Sequence, residues 1–508
     1  MRKISTLEYL SMSKARRGWY KFCSFFAALP IAIGHWFRTL PSKLGKFFGK
    51  IGAWFSELWD AFRYGNWKTR LSALIWGTGC FAYRQVGRGI LYLAYEIIFV
   101  LFMIFFGGGY LGKLDTLGDV AQVRDPDTDL VMIMGDNSFE ILLYSMLTIA
   151  VIVFTVIVWT MSIKNAYRNQ LGHSIAQRAA SMKDDVGQML NHNFHLTILA
   201  FPSLTLVVFT IVPLLFMILV AFTNYNRNTL PPANLFTWVG FDNFAQVLTG
   251  QSGLAGSQDA GRWSYTFWKI LGWTMEWAVL ATVTNLFLGM IVALIINKKS
   301  IKLKKFWRTC LVTVVAVPQF ISLLLVSKML NNAGIYNSIL YSLGLPTVDW
   351  LHQSASLAKF MIVVVNLWVG VPHTVLTCTG ILMNIPDDLY EAAKIDGANP
   401  VKMFSKITLP YMMFVLGPSL ITTFVGNINN FNIIFLLTGG STGIADPKLA
   451  TQAGDLDLLI TWLYKLTVNG QQYDVASVIG ILIFIVVAFF SLIVYSRIGS
   501  VKNEEDFQ

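Results

Sequence analysis

Two stretches of otherwise apolar sequence concentrate polar uncharged residues: Asn366, Gly370 and His373 in one, then Thr423, Gly426, Asn427, Asn429, Asn430 and Asn432 in the other. An asparagine presents two donors and an acceptor on one planar group, a chemistry that suits sugar hydroxyls. Thr423, Asn427 and Asn430 stand at i, i+4 and i+7, so the spacing predicts that they line one helix face. Phe424, Phe431 and Trp368 lie near them in sequence and could stack on a sugar ring. The alternative is that the amides hydrogen-bond neighbouring helices. Pro372 removes a backbone donor and predicts a kink that frees carbonyls close to Gly370 and His373. Broken helices of that kind border binding sites at the bilayer midplane.

Other chemistries lack their residues. A membrane enzyme needs a clustered nucleophile, base or metal set; His173, His192 and His195 share one loop without cysteine or a regular ligand spacing and read as solvated. Cys23, Cys80, Cys310 and Cys378 are far apart, without CxxC, and read as packing residues. No GxxxxGK[ST] occurs, since Gly49-Lys50 is followed by Ile51. The expectation is a chain with no catalytic residue, metal site or cofactor of its own. Ion-coupled carriers need carboxylates or histidines within the membrane, and Glu96, near the inner end of the first span, is the clearest such charge here.

The elements that position these residues follow from composition. Of 508 residues, 55% are hydrophobic and 13% charged, against roughly 25% charged in soluble domains. That implies an all-α polytopic membrane protein. The net charge of +11 gathers beside apolar runs, as in cytosolic membrane flanks, and not in the scattered patches that nucleic acid requires. Eight stretches are long enough to span, at 90–107, 139–161, 196–222, 270–296, 307–330, 358–384, 411–436 and 475–496. Lys298, Lys299, Lys302, Lys304, Lys305 and Arg308 place the loop between spans four and five inside; Asp115, Asp119, Asp125, Asp127, Asp129 and Asp136 place the loop after span one outside. Alternation then puts both termini and the loop 385–410 in the cytosol.

The predicted organisation is a basic, aromatic region 1–89, three spans over 90–222, an outer loop 223–269, a core 270–496 and a tail 497–508. No apolar stretch near the start is followed by a small-residue cleavage site, so no removable signal is expected. Trp19–Phe37 is apolar but interrupted by Lys21, Pro30 and His35. The expected arrangement has Trp19, Trp36, Phe47, Phe48, Trp54 and Trp59 in the headgroup layer while Lys43, Lys46 and Lys50 meet anionic membrane lipid. Thr249–Gly261, rich in Gly, Ser and Gln, reads as flexible.

Between spans six and seven, residues 385–410 read as two short helices joined by a turn. Asp387 or Asp388 caps the first, Gly397 ends it in the left-handed conformation, and Asn399-Pro400 starts the second, which runs toward Leu409 and Pro410. The segment resembles the coupling motif of type I ABC importer permeases: Glu-Ala-Ala, three residues, Gly, nine residues, Ile, one residue, Leu-Pro. Glu391, Ala392, Ala393, Gly397, Ile407, Leu409 and Pro410 fill its fixed places. The resemblance implies that this knob enters a cleft of a separate ATPase, where Glu391 meets a basic residue and Gly397 keeps the turn. ATP and Mg are then bound by that partner.

The resemblance narrows further on. Gly426-Asn-Ile-Asn-Asn-Phe431, Leu437-Thr-Gly-Gly440 and the segment around Asp455–Leu466 look like the larger permease subunit of maltose and maltodextrin importers, over roughly residues 90–500. Matching positions there line a maltose pocket, which implies sugar contacts at Val369, Gly370, His373, Thr423, Gly426, Asn427 and Asn430. His373 replaces a tyrosine of that pattern and Gly426 a phenylalanine, which weakens stacking and widens the cavity. The third outer loop is also much shorter than the folded domain of the enterobacterial protein. The implied partners are a second homologous permease, an ATPase homodimer, an extracellular solute-binding protein and an oligosaccharide, in a bacterial cell membrane. The rival readings are the same machine carrying another uncharged solute, or an ion-coupled secondary carrier that needs no coupling knob.

Overall fold

The computed structural model describes residues 45, 49, 52–174, 182–251, 260–298, 300–443, 446–450 and 452–495. The expectations for Trp19–Phe37, Lys43, Lys46, Phe47, Phe48 and Lys50, for the tail 497–508 and for most of Thr249–Gly261 lie outside the described residues. The chain divides into two compact units, Met1–Gly240 and Phe241–Gln508.

In the first unit, helix α1 (52–64) is followed by α2 (Trp67–Leu71), α3 (Thr78–Ala82) and the span α4 (Val86–Leu111). A two-residue strand β1 (Val123–Arg124) pairs antiparallel with β2 (Val131–Ile133). The spans α5 (Ser138–Ser174) and α7 (Phe194–Val220) flank α6 (Met182–Leu190). Helices α1 to α3 are held on α5 by polar contacts as well as by packing of Leu58 and Ala61 on Ile163. Lys164, nearly buried, meets Glu57 at 3.1 Å and lies over the Trp54 ring at 4.6 Å. Gln170 accepts from the Asn66 amide and the Thr69 hydroxyl, and Glu96 accepts the Trp76 N–H at 2.8 Å. Trp54 is thus half-buried against α5, and Trp59 is exposed.

The second unit is built around α9 (Ala260–Asn297), which begins nearly three helical turns before the predicted span because Trp263, Phe267 and Trp273 are buried along its first half. Helix α8 (Asp242–Thr249) precedes it. Along α9, Trp273, Trp277 and Ala281 pack with Ala358, Ile362 and Val365 of α13 (Ala355–Met383), and farther on Leu286, Met290 and Ala293 pack with Val371, Val375 and Cys378. The approach is close because glycines face side chains. A Cβ on Gly289 would stand 2.6 Å from Thr374, and one on Gly370 would run into the Asn285 amide. Without a hydrophobic driving force between helices in lipid, such close packing and hydrogen bonds hold spans together.

The fifth span is broken. Its arms, α10 (Lys304–Ala316) and α11 (Gln319–Met329), meet at 90°. Val317 is extended, as a residue before proline favours, and Pro318 has no N–H for the Val314 carbonyl. Pro372, where the sequence predicts the kink, sits inside an uninterrupted α13 and is buried; membrane helices accept an interior proline where neighbours re-satisfy the freed groups. The break therefore falls in span five and not in span six.

After α12 (Ile335–Ser342) and α13 come α14 (Asp387–Ile395), α15 (400–428), α16 (Phe431–Thr438), α17 (Leu459–Val468) and α18 (Tyr473–Tyr495). Among the described residues, seven helices are long and apolar enough to cross a membrane, or eight where the bent pair is counted as one span. The segment between α16 and α17 is pinned by Asp457, which is fully buried. Its carboxylate takes the Lys465 ammonium at 2.8 Å, the Gly454 N–H at 2.7 Å and the Thr461 hydroxyl at 2.8 Å. Burial pushes its pKa up to about 6, against the pull of Lys465.

Candidate functional site

The loop between α13 and α15 is specified locally. Pro386 precedes α14, and Asp387 and Asp388 occupy its first turn without making a side-chain cap, so they act on the exposed amides through charge alone. Gly397 has φ +70, and its N–H and that of Ala398 return to the carbonyls of Lys394 and Ala393. Asn399 accepts from the Lys402 N–H at 2.8 Å, and Pro400 opens the next helix. That helix is not the separate short element the sequence predicts. A π-helical turn at Phe404–Thr408 carries it into Leu409–Ile428, so α15 is continuous. The wider turn accommodates Pro410, which has no N–H of its own. Tyr390 and Thr408 share a hydroxyl hydrogen bond of 2.8 Å that fixes α14 to α15. Glu391 and Ala392 are exposed, Ala393, Ile407 and Leu409 half-buried, and Pro410 exposed. Ile395 and Val401 are 87% and 73% exposed, an apolar surface that the rest of the described chain leaves uncovered.

The seven residues expected to meet a sugar separate into two groups. Gly370 faces Asn285 of α9. Asn427 is buried, donates to the Thr282 hydroxyl at 3.0 Å, and its carbonyl accepts from the Trp277 indole at 3.1 Å. Asn430 lies beyond the predicted helix face: α15 ends at Ile428, and Asn430 caps α16 by accepting from the Ile433 N–H. Asparagine prefers that cap because its side chain satisfies an amide that otherwise lacks a partner. The other four remain reachable, Val369 half-buried and His373, Thr423 and Gly426 exposed.

Two of those four line a groove of about 300 Å³, at the lower end of the roughly 300–1,000 Å³ of small-molecule sites. One wall is the elbow of the broken span, with Val314, Pro318, Gln319 and Ser322; the other is α13, with Trp368, Val369 and His373. The lining holds an amide, a hydroxyl, an imidazole and an indole, and no Lys, Arg, Asp or Glu. Gln319 and Ser322 are absent from the sequence expectations. The signal that could have found them is Val317-Pro318-Gln319, a proline dipeptide with a polar residue after it in an apolar run.

The family described as binding-protein-dependent transport system inner membrane component matches residues 285–500. The chain is 31% identical over 438 residues to the galactooligosaccharides transport system permease protein GanP of Bacillus subtilis (strain 168), an alignment covering 85% of this chain and 98% of that protein. The chain belongs to this permease family. It is similarly 33% identical over 448 residues to the maltodextrin transport system permease protein MdxF of the same organism, covering 86% and 97%. A crystal structure of a bacterial ABC transporter that imports alginate aligns with a TM-score of 0.49 at 21% identity, covering 62% of this chain and 98% of that one. The permease is a multi-pass membrane protein of the maltodextrin-permease-like carbohydrate class. Both the 385–410 loop and the groove fall within the matched permease domain.

Proposed function

We propose that this permease forms the pathway of an ABC importer for uncharged oligosaccharides of the malto- or galacto-oligosaccharide type. The observation that carries the reading is the groove between α11 and α13, which offers hydrogen bonds and an aromatic face without a formal charge. Anionic cargo calls for Lys or Arg at such a place, and ion coupling for carboxylates. Sugar rings need planar amides, hydroxyls and aromatic faces. Trp368, Val369, His373, Thr423 and Gly426 contact the sugar in this reading, while Gly370, Asn427 and Asn430 hold the helices that carry them.

Both termini and the loop 385–410 face the cytosol in this reading, following the five lysines and Arg308 at 298–308. There the exposed Glu391, Ile395 and Val401 meet one subunit of an ATPase pair, which binds ATP and Mg. A second, homologous permease completes the pathway and an extracellular binding protein delivers the sugar. Closure of the ATPases shifts the pair between outward- and inward-open states. Purification of the tagged chain from bacterial membranes in mild detergent, followed by mass spectrometry, is expected to recover an ATPase and a second permease, and proteoliposomes of that complex to take up labelled maltotriose or galactotriose. Recovery of the chain alone after crosslinking would overturn the reading.

A further inference from the structure

A second recess, of about 520 Å³, lies wholly in the first unit, among the end of α4, the start of α5 and the segment that carries the β1–β2 hairpin. Its lining is mixed: Tyr110, Lys113, Gln122 and Glu140 are polar, whereas Phe105 and Met134 are apolar and 81% and 78% exposed. The sequence fixes its depth in the membrane. No charged residue stands between Glu96 and Lys113, sixteen positions that rise about 24 Å, nor between Glu140 and Lys164, 23 positions that rise about 35 Å. Against a hydrocarbon core of about 30 Å, Lys113 and Glu140 mark where the two spans reach one headgroup layer. Phe105, about two turns before Lys113, then stands deeper, beside lipid chains and out of reach of a soluble partner.

The polar groups leave a defined set of bonds open. Asp136 is satisfied within the chain: one oxygen takes the Lys113 ammonium and the other accepts the N–H groups of Asp119 and Val120. Lys113 remains about half exposed, with two further N–H donors. Gln122 accepts from the Arg124 Nε at 3.1 Å, and among the described residues neither its Nε2 nor the Tyr110 hydroxyl donates to the chain. Glu140 accepts one side-chain bond, from the Asn137 amide at 3.1 Å, which leaves its second oxygen open. Free donors suit phosphate oxygens, and a free carboxylate oxygen suits an ammonium group. A ligand that carries both charges and an apolar tail, held at headgroup depth, is a zwitterionic phospholipid.

We infer that this recess binds the headgroup of an amine-bearing phospholipid. Lys113, Tyr110 and Gln122 hold the phosphate, Glu140 holds the ammonium, and the acyl chains run along Phe105 and Met134. Because Asp136 already neutralises Lys113, Glu140 leaves the recess with a surplus negative charge, so a zwitterionic lipid is preferred to an anionic one. The site lies outside the matched permease domain and does not depend on which solute is transported.

The test titrates the delipidated complex in detergent with phosphatidylethanolamine or phosphatidylglycerol and counts retained lipids by native mass spectrometry. The wild type is expected to hold one phosphatidylethanolamine per chain in preference to phosphatidylglycerol. Glu140→Gln, which keeps an oxygen for Asn137, should weaken that binding about fivefold and leave phosphatidylglycerol unchanged. Tyr110→Phe should weaken both lipids by a similar factor and serves if the first variant assembles poorly. The melting temperature without added lipid should stay at the wild-type value. Equal retention of phosphatidylethanolamine by the wild type and both variants would overturn the inference, as would a lower melting temperature at unchanged retention, which marks a purely structural role. Weakened docking of the extracellular binding protein with lipid retention intact would assign the recess to that protein and overturn it equally.

Discussion

Replacement of Gly397 separates conformational cost from steric cost in the coupling loop. The residue has φ +70, a region in which a residue with a Cβ pays roughly 1–2 kcal/mol. A Cβ built there has nothing within 4 Å, so bulk adds no clash. The turn is also closed by two backbone bonds, from the N–H groups of Gly397 and Ala398, that a substitution does not delete. Gly397→Ala is therefore expected to depopulate the docking-competent turn and weaken binding of the partner ATPase roughly five- to thirtyfold. Gly397→Asn should lose less, because asparagine tolerates the left-handed region, and Gly397→Leu should resemble alanine despite its size. The assay titrates the ATPase onto solubilised permease pairs carrying each variant, with circular dichroism confirming that the spans are unchanged. An affinity loss that grows with side-chain volume, or equal losses for asparagine and alanine, would refute the reasoning.

Three further outcomes are expected. Asp457 has a folded pKa of about 6 against an unfolded value of 3.8, so the stability it contributes is present below 3.8 and is lost as pH rises through 6; the melting temperature in detergent should rise on acidification from pH 7 to pH 5, by the equivalent of about 1 kcal/mol, and Asp457→Asn should flatten that slope. Gly370→Val places methyls against the Asn285 amide and is expected to cost about 1–3 kcal/mol, read as a lower melting temperature with α9 and α13 forced apart; an unchanged melting temperature counts against close packing there. Lys164→Met removes the contacts to Glu57 and to the Trp54 ring, together worth about 1 kcal/mol, and should speed limited proteolysis near residues 52–64 about fivefold without altering cleavage elsewhere.

What was legible in the sequence is what neighbours in sequence determine. The turn at Gly397, the cap at Asn399 and the start at Pro400 are local choices, and each is realised. The apolar runs likewise fix the spans, because lipid forces an unbroken helix to about that length. The two prolines were not separable by local rules. Pro318 breaks its helix and Pro372 does not, since the outcome depends on what surrounds each in three dimensions. Asn427 and Asn430 show the same limit: an amide reads alike whether it meets Thr282 on another helix, caps α16 or faces a sugar. The helix-face argument for Thr423, Asn427 and Asn430 assumed continuity through residue 430, and the cap ended the helix two residues earlier. The contact of Trp54 with Lys164, more than a hundred positions away in the chain, is likewise beyond any local rule.

The π-helical turn at Phe404–Thr408 has a mechanical consequence. By joining the loop to the span it makes 400–428 a single rod of roughly 43 Å, at about 1.5 Å per residue. A rod of that length is a lever arm: pivoting about one end, each degree of tilt displaces the other by roughly 0.8 Å. Had α15 been two pieces with a flexible joint at Pro410, a pull on the loop would have been absorbed there. With the loop helix and the span continuous, a pull on the loop is passed along the helix toward Ile428.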